Sequence, residues 1–383
     1  SYNKPTTLYK NGYYTGAVYA FSQSIEFKGN NEFIGNELIS TDQNVQQYEY
    51  RIGSSLFIYQ DSPEEYTISN LKFTNCYCSH LGGAVGILSG DYRGGDINKN
   101  NLFIRLENCI FTNCSSGKQG GAVKCGFDIG NKVDEHTNDV NFHNCTFIDC
   151  KSSEGGALYF MDGDETGDEE TIIDNCTFDN CQATSAGSTI YCRSYKFQLS
   201  DSIFKNMEDN YGTLMYVKLD ENGLEPKITN CKFINNNQNI EFYSGKDNTA
   251  MEGSSITIDK CTFTGNSKST AQSASVSVLQ LTRILSNHVE IKECTFSENE
   301  GRCINQDYGT ICDTHIYNCT FTKNKGYEGC AIYTISKTAG HKITVEDCIF
   351  SYNKPTTSYR YGYYTGAVYA FSQSIEFKGN NEF

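Results

Sequence analysis

The sequence predicts an all-β fold, a right-handed parallel β-helix with about eleven coils per 350-residue module. Three observations carry that expectation. A Phe-centred motif recurs along the chain, a Gly-Gly-Ala motif follows it roughly a third of a unit later, and residues 1–33 return almost unchanged as 351–383. A repeat of a few tens of residues is one supersecondary unit that cannot bury its apolar face alone, so neighbours must stack.

The Phe motif reads Cys109-Ile-Phe111-Thr-Asn-Cys114, then Cys145-Thr-Phe147-Ile-Asp-Cys150, then Cys176-Thr-Phe178-Asp-Asn-Cys181. Later copies replace the second Cys by Asn, as in Cys231-Lys-Phe233-Ile-Asn-Asn236 and around Phe263, Phe296, Phe321 and Phe350. Looser copies stand at Phe27, Phe73 and Phe204. Spacings run from 25 to 38 residues, apart from a gap of 46 between Phe27 and Phe73 that residues 37–55 would fill as a loop. The Gly motif reads Gly82-Gly-Ala-Val85, Gly120-Gly-Ala-Val123 and Gly155-Gly-Ala-Leu-Tyr159, with weaker forms at Gly187 and Gly329. No stretch shows a helical period.

Side chains two apart on a strand share a face. Stacked coils therefore place Phe73, Phe111, Phe147, Phe178, Phe204, Phe233, Phe263, Phe296, Phe321 and Phe350 in one inward ladder, with Cys and Asn ladders beside it. Turn asparagines would pair their amides along the axis. Loops such as 128–139 and 161–171 would bulge from a corner without disturbing the stack. Barrels with alternating helices and four-stranded propeller blades fit the pattern less well.

The coarse repeat differs at three positions: Leu8 becomes Ser358, Lys10 becomes Arg360 and Asn11 becomes Tyr361. Recent duplication of a module accounts for such identity. Residues 1–350 read as one module and 351–383 as the start of the next, and the chain is expected to be an excerpt of a longer tandem array. At about 4.8 Å per coil, a module would rise roughly 53 Å.

The Gly-Gly-Ala and Phe-x-x-Asn pairing resembles the repeats of chlamydial polymorphic outer membrane proteins and related protist surface proteins. Phe-x-x-Asn stands at Phe27–Asn30, Phe33–Asn36, Phe233–Asn236, Phe263–Asn266, Phe296–Asn299, Phe321–Asn324 and Phe350–Asn353. The resemblance implies a β-helix displayed at a cell surface, with adhesion as an associated role. The second Cys at 76, 114, 150 and 181 departs from that pattern.

Composition narrows the partners. A formal charge of −15 argues against nucleic acid and anionic membranes, since both would repel the chain. No apolar run approaches the roughly eighteen residues that span a bilayer. Eighteen cysteines point to an oxidising, extracellular or cell-surface location. Adjacent coils bring cysteine Cα atoms within disulfide range. The pairs expected are Cys76–Cys114, Cys150–Cys181 and Cys303–Cys330, whereas the Phe-adjacent column is expected to be small buried thiols.

Four glycosylation sequons occur, at Asn113, Asn144, Asn175 and Asn318. The run holding Asp162, Asp164 and Asp168 has the opening of a calcium loop but lacks its closing Glu, so a solvated acidic loop is expected. No metal and no cofactor are otherwise expected, and no enzyme, because no carboxylate cluster or nucleophile–base pair stands out. Asp139 and Asp149 have no evident partner. A structural fibre or surface coat built from further copies of the module end to end fits best. A surface adhesin binding host molecules or glycans, through tyrosines such as Tyr13-Tyr14, is the alternative, and a polysaccharide lyase or hydrolase a minor one.

Overall fold

A computed structural model describes residues 13–21, 25–39, 50–60, 65–89, 102–126, 128–129, 132–133, 138–161, 170–193, 196–208, 212–219, 225–244, 251–266, 277–284, 286–307, 309–310, 312–326, 328–335, 342–355, 366–371 and 374–383. Among these no helix occurs. Contacts divide the chain into two compact units, Ser1–Ser194 and Tyr195–Phe383.

In the first unit each coil contributes one strand to each of three parallel sheets. The Phe sheet stacks Asn31–Ile34, Leu71–Thr74, Ile110–Thr112, Thr146–Ile148 and Thr177–Asp179. The Gly sheet runs from Val18–Phe21 through Leu56–Gln60, Val85–Ser89, Val123–Cys125 and Leu158–Met161 to Ile190–Arg193. The third sheet stacks Glu65–Ser69, Leu102–Glu107, Asn138–His143 and Glu170–Asp174. Register is exact across these three sheets: Phe73, Phe111, Phe147 and Phe178 are successive partners. Between Val123–Cys125 and Asn138–His143 in the chain, Asp128–Ile129 pairs antiparallel with Lys132–Val133.

The second unit repeats this plan. Its Phe sheet stacks Ile203–Lys205, Lys232–Ile234, Thr262–Thr264, Thr295–Ser297, Thr320–Thr322 and Ile349–Ser351. Its Gly sheet ends in Arg302–Gln306, Ile332–Ile335 and Val368–Phe371, and its third sheet ends in Asp313–Tyr317, Lys342–Glu346 and Ser374–Lys378.

Phenylalanine fills the core of both. Rings stack face to face along the axis, from Phe111–Phe147 at 4.9 Å and 3° to Phe263–Phe296 at 4.6 Å and 6°. The separation equals the strand spacing of a parallel sheet, so ring and backbone repeats coincide. The ladder of the first unit begins at Phe33, not Phe27. Phe33 stacks on Phe73 at 5.0 Å, whereas Phe27 meets Phe33 edge-on at 80°. The first spacing is therefore 40 residues, from Phe33 to Phe73.

The Gly motif has two separate causes. Gly120 adopts φ +65°, the left-handed region where a Cβ is strained. Gly121 lies so close to the next coil that a Cβ would collide with the carbonyl oxygen of Gly156. Ala122 then turns inward, fully buried.

Candidate functional interface

Each short Phe strand is bounded by two left-handed residues. Before it stand Asn70, Asn108, Asn144, Asn175, Asn230 and Asn318, with Asp201, Lys260, Glu293 and Asp347 at the equivalent places. After it stand Asn75, Asn113, Asp149, Asn180, Asn235, Gly265, Glu298, Lys323 and Tyr352. Asn and Asp tolerate this conformation better than other side-chain-bearing residues, which explains the Asn-rich corners. Each corner turns the following residue inward, where it joins one of two columns made mostly of Cys and Asn, with Leu71 and Met207 as apolar members.

In the column before Phe, every thiol donates to a carbonyl of the preceding coil. Cys145 reaches Leu106 O at 3.4 Å, Cys294 reaches Ile258 O at 3.6 Å and Cys348 reaches Ile316 O at 3.6 Å. The sulfur also accepts the backbone N–H of the previous cysteine, as from Cys319 to Cys348 at 3.4 Å. Asn381 then takes the same place. It donates to Val345 O at 3.3 Å and accepts from the Cys348 N–H at 3.0 Å.

The column after Phe makes the same exchange. Cys76, Cys114, Cys150 and Cys181 donate to the carbonyls of Phe33, Phe73, Phe111 and Phe147 at 3.6–3.8 Å. Asn266, Asn299, Asn324 and Asn353 donate to the carbonyls of Phe233, Phe263, Phe296 and Phe321 at 2.8–3.0 Å. Each of these asparagines also accepts from the one before it. Cys and Asn thus serve one purpose in both columns: a compact donor aimed at the coil below.

The expected disulfides Cys76–Cys114, Cys150–Cys181 and Cys303–Cys330 are not formed. All eighteen cysteines are buried free thiols. The thiols of Cys76, Cys114, Cys150 and Cys181 donate to backbone carbonyls, so the turn column behaves like the Phe-adjacent one. Burial pushes the Cys150 and Cys303 thiols well up, and that of Cys330 to about 11. Hydrogen-bonded buried thiols need no oxidising surroundings, so the cysteine count says nothing about location.

The four sequon asparagines lie exposed at left-handed corners. Asn113 donates to Asn75 at 2.7 Å, Asn144 to Asn108 at 2.6 Å and Asn175 to Asn144 at 3.2 Å, an outer amide ladder along the axis. Asp139 and Asp149 do have partners: the Glu170 N–H and the Asn180 amide, each at 2.6 Å. Asp162, Asp164 and Asp168 lie outside the described residues. Among the described residues no group of three His, Cys, Asp or Glu side chains is placed to hold a metal ion, and no helix is long and apolar enough to cross a membrane. Tyr13–Thr15 pairs in parallel with Tyr50–Ile52.

The repeated segment meets the preceding coil through strand pairs, ring stacks and side-chain bonds of the same kinds that join interior coils. Strand Ile349–Ser351 runs through the repeat boundary and pairs in register with Thr320–Thr322. Beyond it, Lys354–Pro355 pairs with Lys325–Gly326, Val368–Phe371 with Ile332–Ile335, and Ser374–Lys378 with Lys342–Glu346. Phe350 stacks on Phe383 at 4.9 Å and 5°, and Tyr333 on Tyr369 at 5.1 Å. Asn324 donates to Asn353 at 3.0 Å, and Lys342 forms an ion pair with Glu376. The Phe stack, the Asn column and the Cys column pass from residues before the boundary to residues after it.

The first copy of the segment shows its opposite edge. Val18–Phe21 pairs with Leu56–Tyr59, and Asn31–Ile34 with Leu71–Thr74. Tyr19 stacks on Phe57 at 5.3 Å, and Lys72 meets Glu32 at 3.2 Å. One residue shows the division of labour. The Ala17 N–H donates forward to Ser54 O at 3.1 Å, while the carbonyl of its counterpart Ala367 accepts from Ala331 and Ile332 behind it.

A family model described as a right-handed β-helix region matches residues 166–381, more than half of the chain. The chain belongs to the right-handed β-helix family. No curated protein matches it. Among solved structures it is similar to the A-module of Azotobacter vinelandii mannuronan C-5 epimerase AlgE6, at 10% identity over 86% of this chain and 91% of that one, with a TM-score of 0.30. A likeness that slight carries no argument about activity. The comparisons return a β-helix without the chlamydial repeat family that the motifs resemble.

Proposed function

We propose that this β-helix chain is a structural module whose tandem copies continue one coil stack into a long extracellular fibre or surface coat. The observation that carries the reading is the strand Ile349–Ser351, which crosses the repeat boundary without a linker while the Phe and Asn ladders pass through it. Exposed strand edges invite pairing. A module whose last edge fits the first coil of the next uses that tendency for growth. Backbone hydrogen bonds along the axis then resist extension, and the charge of −15 keeps neighbouring stacks apart in solution. Exposure of Asn113, Asn144, Asn175 and Asn318 supports display outside the cell.

The test is a two-module chain. Electron micrographs should show an axial repeat of roughly 53 Å, set by stacked-coil spacing. Backbone amides of residues 349–355 should resist hydrogen exchange as well as those of interior coils. Discrete particles one module long, a hinge at the boundary, or a hydrolase activity abolished by one carboxylate substitution would overturn it.

A further inference from the structure

The four sequon asparagines sit at the same kind of exposed, left-handed corner, yet their side-chain amides are not equally available. Asn113, Asn144 and Asn175 each donate from Nδ2 to the asparagine one coil behind, at 2.7, 2.6 and 3.2 Å. Asn144 is held from both sides, because its Oδ1 also accepts from Asn175. Asn318 stands between Glu293 and Asp347 of the adjoining coils. The Glu293 carboxylate faces Lys260 at 4.0 Å, and Asp347 Oδ1 accepts the Asn380 N–H at 2.7 Å. With both neighbours engaged elsewhere, the Asn318 amide makes no side-chain hydrogen bond among the described residues. Thr320, the hydroxyl residue of its sequon, lies on the outward side of a strand whose Phe321 points inward.

We propose that Asn318 is the sequon at which the folded β-helix carries an N-linked oligosaccharide, and that the ladder asparagines 113, 144 and 175 stay bare. In the transfer, Asn318 Nδ2 attacks the anomeric carbon of a lipid-diphosphate-linked oligosaccharide. The N–C bond forms as the C–O bond to phosphate breaks, the lipid diphosphate leaves with the electron pair, and one Nδ2 proton passes to a base of the transferase. Transfer reaches the chain before it folds, so the coil stack acts as the filter. A chain modified at Asn318 closes its coils without giving up a side-chain bond. A sugar on Asn144 would have to fit beside Asn108 and Asn175, each one coil or about 4.8 Å away, and compete with the ladder that joins them.

The inference rests on the extracellular reading only for the encounter with a glycosylating secretory route, and its test supplies that route. The full 383-residue chain, preceded by a signal peptide, is secreted from a eukaryotic cell, and occupied asparagines are marked by endoglycosidase release in heavy-oxygen water and mapped by mass spectrometry. Occupancy at Asn318 should exceed that at each ladder asparagine about tenfold, the equivalent of one net hydrogen bond. Thr320→Ala destroys the sequon but keeps the corner asparagine, so the secreted protein should lose the glycan mass and stay folded. Asn108→Gly removes the acceptor of the Asn144 amide and suits the left-handed corner, so it should raise occupancy at Asn144. Secreted protein with a bare Asn318, equal occupancy at all four sequons, or no rise at Asn144 in the Asn108→Gly chain overturns the assignment. If the secreted chain carries the glycan and protein isolated from its source does not, the site stands and the extracellular reading falls.

Discussion

Asn299 offers the sharpest test of the interchange between amide and thiol. Its side chain is fully buried, donates to Phe263 O at 3.0 Å and accepts from the Asn266 backbone at 2.9 Å and the Asn266 amide at 3.1 Å. The amide also donates to Asn324 Oδ1 at 3.0 Å, so Asn299→Leu keeps the volume and strips four groups of this partner. Each buried polar group left unsatisfied costs about 1–3 kcal/mol, and with partial relaxation the sum is about 4 kcal/mol. Asn299→Cys keeps a donor for Phe263 O, as Cys114 does for Phe73 O, and a sulfur able to meet the Asn266 N–H. Its cost should be about 2 kcal/mol. The difference corresponds to roughly thirtyfold in local opening. Because each coil contacts only its neighbours, the effect should stay near residues 263–324. Hydrogen exchange at the Asn266 amide reads it directly. Equal exchange in the Leu and Cys variants would refute the claim that the two residues fill one role.

Three further outcomes are expected. Phe147→Ala removes a ring stacked on Phe111 and Phe178 at 4.9 and 4.8 Å, at a cost of about 3–5 kcal/mol, and should open proteolytic sites near residue 147 while distant coils stay resistant. A maleimide at mild alkaline pH should label none of the eighteen cysteines in the native protein and all of them after denaturation, and mass loss from disulfides would contradict this. Burial, aided by Asp307, raises the pKa of the Glu241 carboxyl, although Thr282 donates to it at 2.7 Å. A carboxyl raised on folding binds its proton more tightly in the native state, so its ionised form is destabilising at neutral pH and the penalty fades as pH falls through the native pKa. Glu241→Gln should therefore stabilise the second unit at pH 7 and lose that advantage in acid; an equal gain at both pH values would be inconsistent.

Periodicity made the Phe ladder, its parallel register and the Gly-Gly-Ala turn legible before any coordinates, because each repeats with one fixed geometric role. Phe27 was harder. Phe27-Lys-Gly-Asn30 satisfies the same Phe-x-x-Asn pattern as Phe33-Ile-Gly-Asn36, and only stacking separates them. Cysteine spacing pointed to disulfides because in-register coils satisfy the distance requirement. What spacing does not reveal is a carbonyl one coil away competing for each thiol, as Phe111 O does for Cys150. The replacement of Cys114-type residues by Asn236-type residues was the available clue, since Asn forms no disulfide yet holds the same position.

That replacement leaves a trace in heredity. Asparagine and cysteine codons are two base changes apart, and serine lies between them, reachable from either by one. A lineage passing from an amide column to a thiol column can therefore keep a hydrogen-bond donor at each step. Ser202 stands in the first column, buried and donating to Ser200 O at 2.7 Å, directly before Cys231 in the stack. A stack whose positions accept three residues joined by single substitutions can diverge in sequence, coil by coil, while its register is retained.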